Sequence, residues 1–135
     1  MITLLTILFN LLTPPNDSVD LQVSLERSKI PAGSHTYILF QLTPVEGVHL
    51  TAEPPVEFKI DSGTVAKTVG KPRGVKDGDN LSPADPVRQE IVIAPKAPDG
   101  KYTIKGTLTY YYCSDAEGTC MRYRQPVTLT LNVGR

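Results

Sequence analysis

The chain has no tryptophan, no Cys-x-x-Cys and no net charge, and it carries only two cysteines and two histidines in 135 residues. Each shortage excludes something. The tryptophan that packs beside the inter-sheet bridge of antibody domains is missing, and the spacing from Cys113 to Cys120 is far too short for such a bridge. Without Cys-x-x-Cys there is no thioredoxin-like attacking site. Lysine plus arginine equals aspartate plus glutamate at 14 each, so no net field draws the chain to nucleic acid. His35 and His49 lie far from each other and from any acidic cluster of metal-ligand spacing, so no metal is expected. A soft-metal reading would rest on Met121 beside Cys120, with His49, and a methionine next to a strand is ordinarily packing. Gly-x-Ser-x-Gly and a glycine-rich loop ahead of a helix are also missing, which leaves hydrolytic and phosphate-binding chemistry without support and implies no cofactor.

Long apolar runs are absent except at the start. Residues 1–12 hold nine large apolar side chains and no charge, and the run stops at Pro14, Pro15, Asn16 and Asp17. As a helix those residues would reach only about 18 Å, short of a bilayer core of roughly 30 Å. Residues 1–15 therefore read as a signal-peptide-like or anchor segment, with residues 1–12 the candidate membrane tether, and residues 16–135 as one domain. A buried first strand is the alternative.

What is present points to strands. Twelve prolines and ten glycines disfavour long helices, and the apolar residues recur at a period of two. Val19, Leu21, Val23 and Leu25 alternate with polar residues; residues 35–42 are apolar on both parities, as for a strand covered on two sides. Val48 to Leu50 and then Val56, Phe58 and Ile60 predict two short strands separated by Pro54 and Pro55. Residues 62–86, with the basic cluster Lys67, Lys71, Arg73 and Lys76, read as a solvated loop or as a segment holding a short strand over 65–69. Residues 87–94 form another strand, and residues 102–112 and 123–133 form a hairpin. The spacing of strands and turns predicts an all-β fold, an immunoglobulin-like antiparallel β-sandwich.

Cys113 and Cys120 close a loop of eight residues at the tip of that hairpin. Counting by two, Cys113 shares a face with Thr107, Thr109 and Tyr111, opposite to Ile104, Leu108, Tyr110 and Tyr112, and Cys120 falls on the same polar face, so both sulfurs are expected on the wetter side. A disulfide there would stabilise by roughly 2.5 kcal/mol on the chain-entropy model, less if the hairpin persists in the unfolded chain. A staple between residues already adjacent gains little. Asp115 and Glu117 oppose thiolate formation while Arg122 and Arg124, with Lys105, favour it, so the pair is better suited to receive attack than to initiate it. Disulfides persist in oxidising compartments, which fits an exported chain, periplasmic or secreted.

The run from Ala97, Pro98, Asp99 and Gly100 through Tyr110, Tyr111, Tyr112 and Cys113, followed by Gly118 and Cys120 and the strand over 127–133, resembles the end of the N-terminal domain of the thiol:disulfide interchange family DsbD. In that family a glycine turn, a strand ending in tyrosine and cysteine, a short glycine-containing loop and a second cysteine recur in this order. Upstream, Ile30 to Gly33, then Glu46, Gly47, Val48, His49 and Leu50 followed by Pro54 and Pro55, are similar to the family's glycine-x-histidine stretch and prolines. The resemblance spans residues 19–133. It implies an exported domain with Cys113 and Cys120 as a redox-active pair, a protein-disulfide reductase or interchange component passing reducing equivalents between a thioredoxin-like donor and oxidised client proteins. It also implies that Cys120 is the sulfur attacked. The family's aromatic cap loop has no counterpart in residues 62–86, which contain no aromatic residue. Tyr110, Tyr112 and Tyr123 read either as an aromatic shelf beside the sulfurs or as ordinary core. The competing function is a non-catalytic immunoglobulin-like binding or structural domain with an inert hairpin disulfide.

Overall fold

The computed structural model describes residues 16–61 and 64–135, and the leader or anchor expected over residues 1–15 lies outside them. Alternation of apolar and polar side chains drives the described chain into two antiparallel sheets that pack face to face as an immunoglobulin-like sandwich, with no helix among the described residues. The first sheet runs β1 (Val19–Leu25), β3 (His35–Pro44), β9 (Val87–Ile93) and β6 (Ala66–Arg73). In the second, β2 (Lys29–Ile30) lies parallel to the end of β11 (Cys120–Val133), which pairs along its whole length with β10 (Gly100–Ser114). The other edge of β10 takes two short strands in turn, β5 (Glu57–Ile60) along its middle and β4 (Val48–Leu50) at its tip. The break between them falls at Pro54 and Pro55, where the second proline has no N–H for a ladder.

The core is the space between the sheets. Ile38, Phe40 and Leu42 from β3 and Ile91 and Ile93 from β9 meet Phe58, Ile104, Leu108, Val127 and Leu131 from the other sheet. Phe40 and Phe58 pack as a tilted pair, with ring centroids 5.0 Å apart and planes at 53°. Gly106 makes the closest approach possible: a Cβ there would lie 2.4 Å from the Lys59 carbonyl oxygen and 2.9 Å from the Phe58 ring, so only glycine lets β5 dock.

Two sequence expectations need correction. Strand β3 is covered fully on one face only: Thr36, Ile38, Phe40 and Leu42 are buried, while Tyr37, Leu39 and Gln41 are half-buried on the outer side. The segment over 62–86 is not a plain loop. It contributes β6, which pairs with β9 beyond the short strand expected, and a small hairpin of β7 (Lys76–Asp77) and β8 (Asn80–Leu81) packed beside β4.

Candidate functional site

The β10–β11 hairpin keeps one register from Gly100 opposite Val133 to Cys113 opposite Cys120, without a bulge. The pleat parity therefore survives to the tip, and the cysteines face each other across the ladder with Cα atoms 4.0 Å apart, joined as a disulfide. The strands run through both cysteines, so the turn is tighter than a loop starting at them. Ser114 N–H donates to the Thr119 carbonyl at 2.8 Å, and Gly118 N–H donates to the Ser114 carbonyl at 2.8 Å. Gly118 holds φ at +69°, a conformation glycine adopts without a Cβ penalty.

The two sulfurs sit in unlike places, which parity alone does not reveal. Cys113 is buried, at 6% exposure, whereas Cys120 is exposed. The reason is position in the sheet. At the tip, β10 is a central strand with β4 on one side and β11 on the other, while β11 pairs with β2 only at Asn132 and Val133 and is an edge strand around Cys120. The expectation of two equally wet sulfurs is thus corrected for Cys113, although that residue stands outside the hydrophobic core cluster.

On β4, His49 lies directly across from Cys113, at the Cβ spacing of roughly 4.5–5.5 Å usual for opposed residues. His49, Cys113 and Cys120 therefore form a row across three neighbouring strands, on one face of the sheet. The His49 Nδ1 and the Asp115 Oδ1 are 2.7 Å apart, and Asp115 N–H donates to the Gly47 carbonyl at 2.8 Å. The cysteine turn is thereby tied to β4 through backbone and side chain. Side-chain exposures of 37% for His49 and 60% for Asp115 make this a solvated contact, worth no more than about 1 kcal/mol to stability. Within the turn, Ser114 Oγ accepts from Glu117 N–H at 3.3 Å and Thr119 Oγ1 donates to Glu117 Oε1 at 3.3 Å.

The tyrosines are not beside the disulfide. Tyr110 and Tyr112 alternate to the opposite face, where Tyr123 stands across from Tyr110. Tyr110 is fully buried and lies 6.4 Å from Tyr112 and 5.7 Å from Tyr123 between ring centroids. Its hydroxyl donates to Gln125 Oε1 at 2.9 Å and accepts from Asn16 Nδ2 at 3.1 Å. Burial pushes the Tyr110 hydroxyl up to about 12 from 10.0, with the bond from Asn16 acting in the other direction. The aromatic on the cysteine face is Tyr111, opposite Arg122, and the face continues past Thr109 and Arg124 into a shallow groove of about 330 Å³ edged by Glu57 and Lys59.

No protein-family model and no curated protein matches the chain. The chemistry is therefore carried by the geometry. Met121, opposite Tyr112 on the tyrosine face, is exposed and does not share the face of the sulfurs. Among the described residues, no group of three or more His, Cys, Asp or Glu is arranged to hold a metal ion. The basic cluster is divided: Lys71 and Arg73 flank a cleft on the other sheet with Tyr37, Arg88 and Glu90, where the Arg88 guanidinium sits 4.6 Å over the Tyr37 ring, whereas Lys76 lines a cleft with His49. The sequence ties Asp115 to the cysteines but gives no sign of its pairing with His49, 66 positions away in the chain. No spacing rule could pair them, because the contact depends on the register of β4 against β10.

What the arrangement permits is an attack with defined polarity. A thiolate can reach the exposed Cys120 sulfur, with the buried Cys113 sulfur as the leaving group. The reverse attack, on Cys113, is opposed by the burial of that residue.

Proposed function

We propose that the domain is a thiol-disulfide relay, in which a thioredoxin-like dithiol donor reduces the Cys113–Cys120 disulfide and the resulting dithiol passes the electrons to oxidised client proteins. The observation that carries this reading is the unequal exposure of two directly opposed cysteines, one on an edge strand and one on a central strand. A bond between residues already paired in a continuous ladder adds little to the fold, whereas an accessible sulfur bonded to a sheltered one suits exchange at a single atom. The reading agrees with the DsbD-like order of glycine turn, tyrosines and cysteines, and with an oxidising location outside the cytosol.

In a glutathione or dithiothreitol redox buffer, the couple should equilibrate in the range of thioredoxin-like proteins. A potential well below about −300 mV would make it a permanent staple and leave the inert sandwich as the function. Cys113→Ala should leave Cys120 able to trap a thioredoxin-like protein as a mixed disulfide, whereas Cys120→Ala should trap far less.

A further inference from the structure

In the proposed relay the exchange at Cys120 leaves a charge on Cys113, and His49 stands across the ladder from that residue. We propose that His49, oriented by Asp115, takes up the leaving Cys113 thiolate by hydrogen bonding and returns a proton to it. The proposal rests on the thiol-exchange reading and concerns a different atom of the same site. Three observations converge on it. His49 is the residue directly opposite Cys113 on β4; its Nδ1 is engaged with the Asp115 carboxylate at 2.7 Å, so Nε2 is the nitrogen left for the sulfur and donates when the ring is cationic; and Cys113 is the sheltered cysteine, where water is least able to solvate a thiolate. A carboxylate on one ring nitrogen fixes the imidazole's orientation, and a cationic imidazole beside a thiol favours the thiolate.

A thiolate of the donor's dithiol attacks Cys120 Sγ, the bond between the two sulfurs breaks, its electron pair departs on Cys113 Sγ, and a donor–Cys120 mixed disulfide forms. His49 gives its Nε2 proton to Cys113 Sγ and is reprotonated by solvent. The donor's second thiol, having lost its proton to solvent, attacks its own first sulfur; Cys120 leaves and takes a proton from solvent. Two electrons and two protons have then passed from the donor dithiol to this protein, and the donor carries the disulfide.

Other charged groups around His49 are few and mixed in sign. Glu53, Lys76 and Asp79 line a cleft of about 470 Å³ with it, from the segment after β4 and from the β7–β8 hairpin, and Lys76 Nζ is 4.0 Å from Glu53 Oε2. From β10 and β11, Tyr111 and Arg122 share the face of the sulfurs, and Glu117 in the turn is bonded to Thr119. From β3, His35 is bonded to Glu90 and Tyr37 lies under Arg88. Asp115 is the carboxylate bonded to the His49 ring.

The test uses the full chain and dithiothreitol as the dithiol, with the reduction rate followed from pH 6 to pH 9 and corrected for the reagent's thiolate fraction. His49→Gln should be reduced about fivefold more slowly than the parent at pH 6, with the gap closing toward pH 9, where imidazoles are neutral. Asp115→Asn should fall between the two. In the reduced proteins, the pH midpoint for alkylation of Cys113 should move up in His49→Gln. Melting of the oxidised forms checks that each variant is folded, and His49→Asn replaces any that is not. Superimposable pH profiles and alkylation midpoints, in proteins whose disulfide is readily reduced, would overturn the role of His49 and leave the relay standing. A disulfide that thioredoxin-range buffers fail to reduce would sink the relay itself, and with it this role.

Discussion

The two faces of the β10–β11 hairpin are made from alternate residues of the same strands, yet they have opposite characters. On the inner face Tyr110, buried and bonded through its hydroxyl to Asn16 and Gln125, packs with Tyr112 and Tyr123 against the core. On the outer face, one residue further along, Cys120, His49 and Asp115 meet solvent while Cys113 is sheltered between them. The first face is expected to lose stability when altered, and the second to tolerate change with little loss. This difference teaches where to look for function: at the covalent bond that contributes least to the fold.

The comparison breaks if the outer face proves as stabilising as the inner one. The largest effect is expected at Tyr110, where Tyr110→Ala removes a fully buried ring and strands Gln125; urea denaturation should show a loss of about 3–5 kcal/mol. Alkaline unfolding comes next. The folded pKa of Tyr110 is raised from 10.0 to about 12, so its stabilisation is fully present below pH 10, where tyrosine is neutral in the unfolded chain too. It is lost as pH rises from 10 through 12, by an amount on the order of 3 kcal/mol. Tyr110→Phe should flatten that alkaline decline in a stability-versus-pH series.

Removing the disulfide, by reduction or by the Cys113→Ala, Cys120→Ala double variant, should cost at most about 2.5 kcal/mol in the same denaturation assay. A loss exceeding that of Tyr110→Ala would make the bond a staple and erase the contrast. Smallest of all, His49→Gln should change the stability of the oxidised protein by no more than about 1 kcal/mol, since its bond to Asp115 is solvated.

Legibility in the sequence followed the strength of the period-two pattern. Strands β1, β9 and the hairpin could be read because their buried side chains alternate within each strand. Strand β6 was legible only as the short-strand alternative over 65–69, because Ala66 is its only buried residue. Lysines and a proline suit its place at a sheet edge, and its ladder with β9 shifts register between Val69 and Arg73. Only pairing with β9 decides between loop and strand and sets its extent to Arg73. At the site, Cys113 and Cys120 were visible as a pair on the polar parity, but the tyrosines beside them in sequence were not separable from them in function without the unbroken register that sends them inward.

The sequence by itself determined the sheet-forming pattern, the hairpin and the face on which each cysteine stands, because pleat parity is a local property of successive residues. Only the tertiary structure decided that Cys113 is sheltered and Cys120 open, and that His49 and Asp115 join them. Those facts depend on which strand lies next to which, and strand neighbours are chosen by long-range packing of the two sheets rather than by anything the hairpin encodes locally.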